Sequence, residues 1–334
     1  MQKKRMLIVL ALILIIVILA GCELRRGPEE GEVVDVHTGT RALVMAFTKG
    51  LPPDKMYDTG TLDVLVELSN IGTANLEGTG PNQGCMLYLS GYDKSVVFFD
   101  KDEQPCGRLA GKSIFNPEGS IGMAEFKADT IVLPRGVDSY APNLLITACY
   151  KYETVATPVV CIDPHLYEIS PVQRACTVTD VTMTGGQGAP VAVDRVDVDM
   201  MKNNVLFKIH ISNKGGTATS SKRTLLGRET TEYGRTGIVL DDGISPANDC
   251  PYNLDYDDYN IVTYYVDAGT IGLVECTPTV QNTNKVRLVD NKATIYCKFD
   301  TSMLETATQV PLTIELYYGY MDYVSKKVEI IRTP

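Results

Sequence analysis

The chain has 334 residues, 44% hydrophobic and 22% charged, a globular composition long enough for two domains with proper cores. Its formal net charge is −10; without Lys3, Lys4 and Arg5 it would be −13, from 28 basic and 41 acidic side chains. That balance argues against a nucleic-acid backbone or an anionic bilayer surface as the main partner. Trp is absent, Tyr reaches 18, and 17 Pro and 28 Gly are widely spread, which suits many short strands and turns.

Lys3-Lys4-Arg5 precede an uncharged apolar run, Met6 to Gly21, which is an export signature. Its 16 residues are short against the roughly 20 of a bilayer-spanning helix. The run closes at Leu19-Ala20-Gly21-Cys22, which resembles a lipobox. That resemblance makes Leu19, Ala20 and Gly21 recognition positions for a signal peptidase and Cys22 the lipid attachment site. The rival reading is an uncleaved hydrophobic anchor helix with Cys22 a bystander. Either way residues 1–21 are a signal peptide or membrane anchor, and everything after Cys22 lies outside the cytoplasm. Residues 22–38 read as a polar tether.

The first module covers about 39–163. Ala42–Phe47 opens it as a strand, and Leu51-Pro52-Pro53-Asp54 is a loop. In Leu62–Ala74, Leu62, Val64, Val66 and Leu68 alternate with Asp63, Leu65 and Glu67, a half-buried strand. It stops at Ser69-Asn70-Ile71-Gly72, where Asn and Gly tolerate the positive φ of a sheet-edge turn. Cys85–Ser90 and Ser95–Phe99 read as strands, Asp100–Asn116 as a loop, and Met123–Leu133 as one or two strands broken near Lys127-Ala128-Asp129. Pro142–Tyr152 and Pro158–Ile162 read as a closing hairpin.

Residues 164–175, with Pro164 and Pro171, read as a linker to a second module, 176–334. Cys176–Thr184 resumes strand character. Gly185-Gly186-Gln187-Gly188-Ala189-Pro190 is a loop with no P-loop Lys after it. Val205, Phe207, Ile209 and Ile211 then repeat the signature row and stop at Ser212-Asn213-Lys214-Gly215, 143 residues after the first copy. The module ends as the first one did: Ile146, Tyr150, Tyr152, Val160 and Ile162 recur as Ile314, Tyr318, Tyr320, Val328 and Ile330, 168 residues on. The difference of 25 residues is an insertion, found in the acidic, Tyr-rich stretch Asp241–Asp258.

Eight cysteines remain beyond Cys22, an even number behind an export signal, and four disulfides follow. Cys149 and Cys161 are both missing from the second copy and share parity, so the reading pairs them across the closing hairpin. Cys276–Cys297 and Cys85–Cys106 are pairs of neighbours, which leaves Cys176–Cys250. With no CxxC pair and three His, zinc is disfavoured.

The sequence makes no case for catalysis. His37, His165 and His210 are scattered, and no GxSxG, HExxH or kinase set occurs. His210 reads as a solvated sheet-face residue. Asp241, Asp242, Asp249, Asp255, Asp257 and Asp258 offer oxygens for Ca²⁺ but lack the Asp-x-Asp-x-Asp-Gly loop, so a solvated loop without metal or cofactor is the favoured reading. Tyr252, Tyr256 and Tyr259 in the same loop are candidate partner-binding residues, against the plainer reading that they pack it down.

Leu68-Ser69-Asn70-Ile71-Gly72-Thr73-Ala74 and Ile211-Ser212-Asn213-Lys214-Gly215 resemble the CARDB-type, immunoglobulin-like modules of exported archaeal and bacterial surface proteins. The resemblance implies fold and location more than activity. The expectation is an all-β chain of two tandem immunoglobulin-like β-sandwiches behind an N-terminal hydrophobic helix. Its function would be non-enzymatic binding or spacing at the exterior face of the cell membrane, toward a protein or glycan. The alternatives are a scaffold subunit of an envelope complex of secretion or pilus type and, remotely, an extracellular hydrolase.

Overall fold

A computed structural model describes residues 36–78, 84–168, 174–215, 222–225, 228–231 and 237–334. The leader, Cys22 and the tether up to residue 35 lie outside the described residues. Among those described, no helix is long and apolar enough to cross a membrane. The architecture is all-β and sandwich-like, with residues 36–334 forming one compact unit.

The period-two rows become strands with one buried face. Leu62, Val64, Val66 and Leu68 are fully buried on Leu62–Asn70, and Val205, Phe207, Ile209 and Ile211 are buried on Asn204–Asn213. Each signature strand lies inside its own sheet. The first sheet runs Leu43–Phe47, Leu62–Asn70, Ser120–Ile131, Val97–Phe99; the second runs Val181–Thr182, Val191–Met200, Asn204–Asn213, Lys292–Asp300, Gly272–Thr277. Ser120–Ile131 is one strand, and the break expected near Lys127-Ala128-Asp129 takes the form of a register shift, with Phe98 and Phe99 facing Thr130 and Ala128 and Asp129 passed over.

The halves are not separate bodies. Asn143–Ala156 of the first and Thr313–Lys327 of the second pair antiparallel over 14 positions at the centre of a seven-stranded sheet. Cys85–Ser90 and Glu103–Pro105 extend that sheet on one side, Ile261–Asp267 and Lys285–Arg287 on the other. The register sets Tyr150 opposite Tyr320 and Tyr152 opposite Tyr318. Since a step of 168 residues carries Tyr150 to Tyr318 and Tyr152 to Tyr320, the repeat meets itself about a pseudo-two-fold axis at Lys151 and Gly319. The four tyrosines are buried there, with ring centroids 5.6–6.5 Å apart, in tilted or edge-on contact.

The expected closing hairpins are exchanged between the halves. Val159–Ile162 pairs with Thr308–Pro311 of the second half. Glu329–Ile331 pairs antiparallel with Ser139–Tyr140 and parallel with Lys55–Tyr57, both of the first half. One hydrophobic core runs through both repeats. Residues 164–175 therefore join two halves of one folded unit.

Exchange also corrects the disulfides. Cys85–Cys106 and Cys276–Cys297 form as read, but Cys149 bonds Cys250 and Cys161 bonds Cys176. Cys149 faces outward from the central sheet, between Met86 and Met321 on the flanking strands. Cys161 sits on a strand paired elsewhere, so shared parity never brought the two together. The Cys161–Cys176 bond instead brackets residues 164–175.

Candidate binding cleft beside the inserted loop

Asn143–Ala156 and Thr313–Lys327 bury their even-numbered side chains and leave the odd ones on the outer face. Near the centre that outer face is largely apolar: Met86, Cys149 and Met321 form one row across three strands, Tyr88, Thr147 and Tyr323 the next, and Leu145 lies one row on between Ser90 and Ser325. Ile238–Leu240 adds a short strand beside Met321. The inserted stretch after Leu240 folds back over part of this face.

Three kinds of contact hold it there. Ile244, Cys250 and Leu254 pack on Tyr88, Cys149 and Leu240. The Cys149–Cys250 disulfide ties the loop to the sheet. The Tyr88 hydroxyl donates to the Pro246 carbonyl at 2.6 Å, and burial, reinforced by the Glu103 charge, pushes its pKa up to about 12.

The acidic residues of the stretch are occupied in holding its shape. Asp241 accepts from Lys285 Nζ at 2.7 and 2.8 Å and from the Gly243 amide at 2.7 Å. Burial works to raise the Asp241 pKa, but these donors outweigh it and hold the carboxyl below the usual range. Asp242 accepts from Thr263 Oγ1, Asp249 from the Ser245 amide, Asp258 from the Asp255 amide, and Asp257 pairs with Arg287. Among the described residues no three His, Cys, Asp or Glu side chains gather where a metal ion would be held.

Of the three tyrosines singled out in the loop, the structure brings one to a cavity. Tyr252 is 70% exposed, stands edge-on to Tyr88 at 6.0 Å, and forms a wall of a cleft of about 500 Å³. Leu145, Thr147, Ile238, Met321 and Tyr323 are among its other walls, and no lining residue is charged. Tyr256 is exposed elsewhere on the loop, with the Arg287 guanidinium 4.8 Å from its ring centroid. Tyr259 packs down into the loop's own small core. Sequence reasoning missed Leu145, Thr147, Met321 and Tyr323. The available signal was an outward row that stays apolar where a solvated face alternates to charge.

The volume falls in the usual range for a small-ligand or side-chain pocket, roughly 300–1,000 Å³. Apolar and aromatic walls with hydroxyls from Ser90 and Thr147 suit an uncharged group that offers an apolar or ring face.

His210 makes more contacts than a solvated residue would. Its Nε2 meets Asp197 Oδ2 at 3.0 Å and its Nδ1 meets Thr294 Oγ1 at 3.1 Å, on the outer face of the second sheet. Arg195 pairs with Asp197 and holds that carboxyl below its usual range. The three side chains resemble a nucleophile–base–acid row in connectivity. They stand on neighbouring strands whose backbone is already paired, His210 opposite Thr294 in the register, so the ladder takes up the amides an oxyanion would need. His165 pairs with Glu168 at 3.1 Å, far from this row in sequence and element.

No family model matches the chain, and no curated protein matches it. Among solved structures, the C-terminal domain of the AgI/II polypeptide BspA of Streptococcus agalactiae aligns with 87% of this chain and all of that one, at 7% identity and a TM-score of 0.15, which constrains neither fold nor function.

Proposed function

We propose that this chain is a membrane-anchored, extracytoplasmic recognition module without enzymatic activity. In this reading two immunoglobulin-like sandwiches of CARDB type fuse into one body, which meets a protein or glycan partner at the cleft beside the inserted loop. The observation that carries the reading is the disulfide-pinned loop, which leaves an uncharged aromatic and apolar cleft open with Tyr252 at its rim. Recognition surfaces are enriched in such side chains, and a site built on a cross-linked sheet loses little freedom on binding. Four disulfides suit an oxidising compartment, in line with an export leader ending at Cys22.

The test is capture from envelope extract by the full chain and by two variants, Tyr252→Ala and Met321→Glu. Partners retained by the parent and lost from both variants, with folding intact by circular dichroism, support the cleft. Equal capture by all three removes it. Replacing Cys22 by Ser tests the lipid arm separately: the chain should leave the membrane or keep its leader, and unchanged mass and partitioning would favour the plain anchor.

A further inference from the structure

A second exposed apolar feature lies away from the cleft. In the tight turn Ser113–Asn116, Ile114 is 71% and Phe115 92% exposed. The turn closes on itself: the Ser113 and Asn116 amides each donate to the other's carbonyl at 3.0 Å, and Ser113 Oγ accepts from the Asn116 amide at 3.1 Å. Polar residues at the tip would serve that geometry equally well, so the fold does not ask for Ile and Phe there. Ile121 and Met123, also exposed, lie on the strand that follows, where Met123 stands opposite Glu67.

The position of the turn says what it meets. The Lys112 amide donates to the Gly72 carbonyl at 2.7 Å, and the Arg41 carbonyl packs against the same glycine. The Ile71 amide donates to the Ala42 carbonyl at 2.9 Å. The tip therefore stands at the end of the body where the chain arrives from its N-terminal segment. Only residues 23–35 separate Cys22 from the first described residue. Covalent geometry limits a segment of that length to about 47 Å. Across residues 110–122 the charges are Lys112 and Glu118, so the segment that carries the turn is neutral in a chain of net charge −10.

We propose that Ile114 and Phe115 dip into the lipid surface that holds the N-terminus and so fix the orientation of the body above it. This rests on the membrane-anchor part of the proposed function. The chain has no Trp, so Phe115→Trp makes a single-tryptophan reporter at an already exposed position. Tyr256→Trp, on the inserted loop, serves as the reference. Each full-length variant is reconstituted in phosphatidylcholine–phosphatidylglycerol vesicles with brominated acyl chains. The expected result is blue-shifted, bromine-quenched emission from the Phe115→Trp chain and water-like, unquenched emission from the reference. Water-like emission from the Phe115→Trp chain while it floats with the vesicles overturns the lipid contact and leaves the anchor standing. Equal quenching at both positions overturns it too. A chain that does not float, with both reporters in water, fails the anchor and the lipid contact together.

Discussion

Gly72 and Gly215 stand at the ends of the two signature strands, each under a tyrosine from the matching central strand. A Cβ on Gly72 would lie 2.1 Å from the Tyr152 hydroxyl and 2.4 Å from the Gly188 carbonyl oxygen; one on Gly215 would lie 2.1 Å from Pro190 Cβ and 2.7 Å from the Tyr320 hydroxyl. Gly72→Ala and Gly215→Ala should therefore each cost about 1–3 kcal/mol by overpacking, read as a lower guanidinium midpoint with unchanged slope. The neighbouring asparagines repeat one role. Asn70 accepts from the Gly72 amide and donates to the Ala74 and Leu109 carbonyls at 2.8 and 2.9 Å; Asn213 accepts from the Gly215 amide and Tyr320 and donates to the Gly237 carbonyl. Asn70→Ala should cost about 1–3 kcal/mol for each buried group it strands, in the same titration. The Asn-x-Gly pattern was legible in the sequence as a corner, but for another reason. None of these four residues has positive φ, so the glycines are needed for space and not for handedness. Space is set by Tyr152 and Tyr320, 80 and 105 residues from Gly72 and Gly215, which a local reading does not see.

Two of the ties on the inserted loop can be cut separately, the Asp241–Lys285 ion pair and the Cys149–Cys250 disulfide. Asp241 has a lowered pKa, so its contribution holds above the unfolded value and is lost as pH falls through the folded one. Burial favours neutral Lys285, but bonding to Asp241 prevails and raises its pKa, so that contribution is lost only as pH rises through the folded value. Protection factors across residues 244–259, that is exchange corrected for the intrinsic pH dependence of amides, should thus be high at neutral pH and fall below about pH 4, near the ordinary carboxylate range; Lys285→Met should flatten that dependence. Cys149→Ser with Cys250→Ser should cost about 2–4 kcal/mol and speed exchange in the same residues at every pH. Strand existence was well marked by alternation, as in the row Leu62, Val64, Val66, Leu68. Partner choice was not. Period-two spacing tells which face a residue takes, never which strand lies beside it, so the Val159–Ile162 strand was assigned to its sequence neighbour when it pairs with Thr308–Pro311. The same gap misassigned Cys149 and hid the cleft, whose walls come from both halves.

At the scale of the molecule, stability concentrates in the seam between the repeats. Burial, ahead of any neighbouring charge, raises the pKa of Tyr150, Tyr152, Tyr318 and Tyr320. A tyrosine with a raised folded pKa stabilises fully below its unfolded value near 10 and loses that contribution as pH rises toward the folded one. The guanidinium midpoint should hold to about pH 9.5 and fall steeply beyond pH 10, with buried phenolates appearing by absorbance only as the chain unfolds. The seam also decides whether either half can stand alone. Residues 36–168 without their counterpart would leave Asn143–Ala156 with an unpaired edge, expose Tyr150 and Tyr152, and strand the Val159–Ile162 segment; residues 174–334 would do the same to Thr313–Lys327 and Glu329–Ile331. An open edge of that length favours association over a monomeric fold. Each fragment expressed alone should aggregate or unfold without cooperativity, whereas the two co-expressed in an oxidising compartment should assemble one to one, joined by the Cys149–Cys250 and Cys161–Cys176 bonds. A monomeric fragment 36–168 with a sharp thermal transition would show instead that the first sandwich is complete in itself and that the shared sheet is only a contact between finished domains.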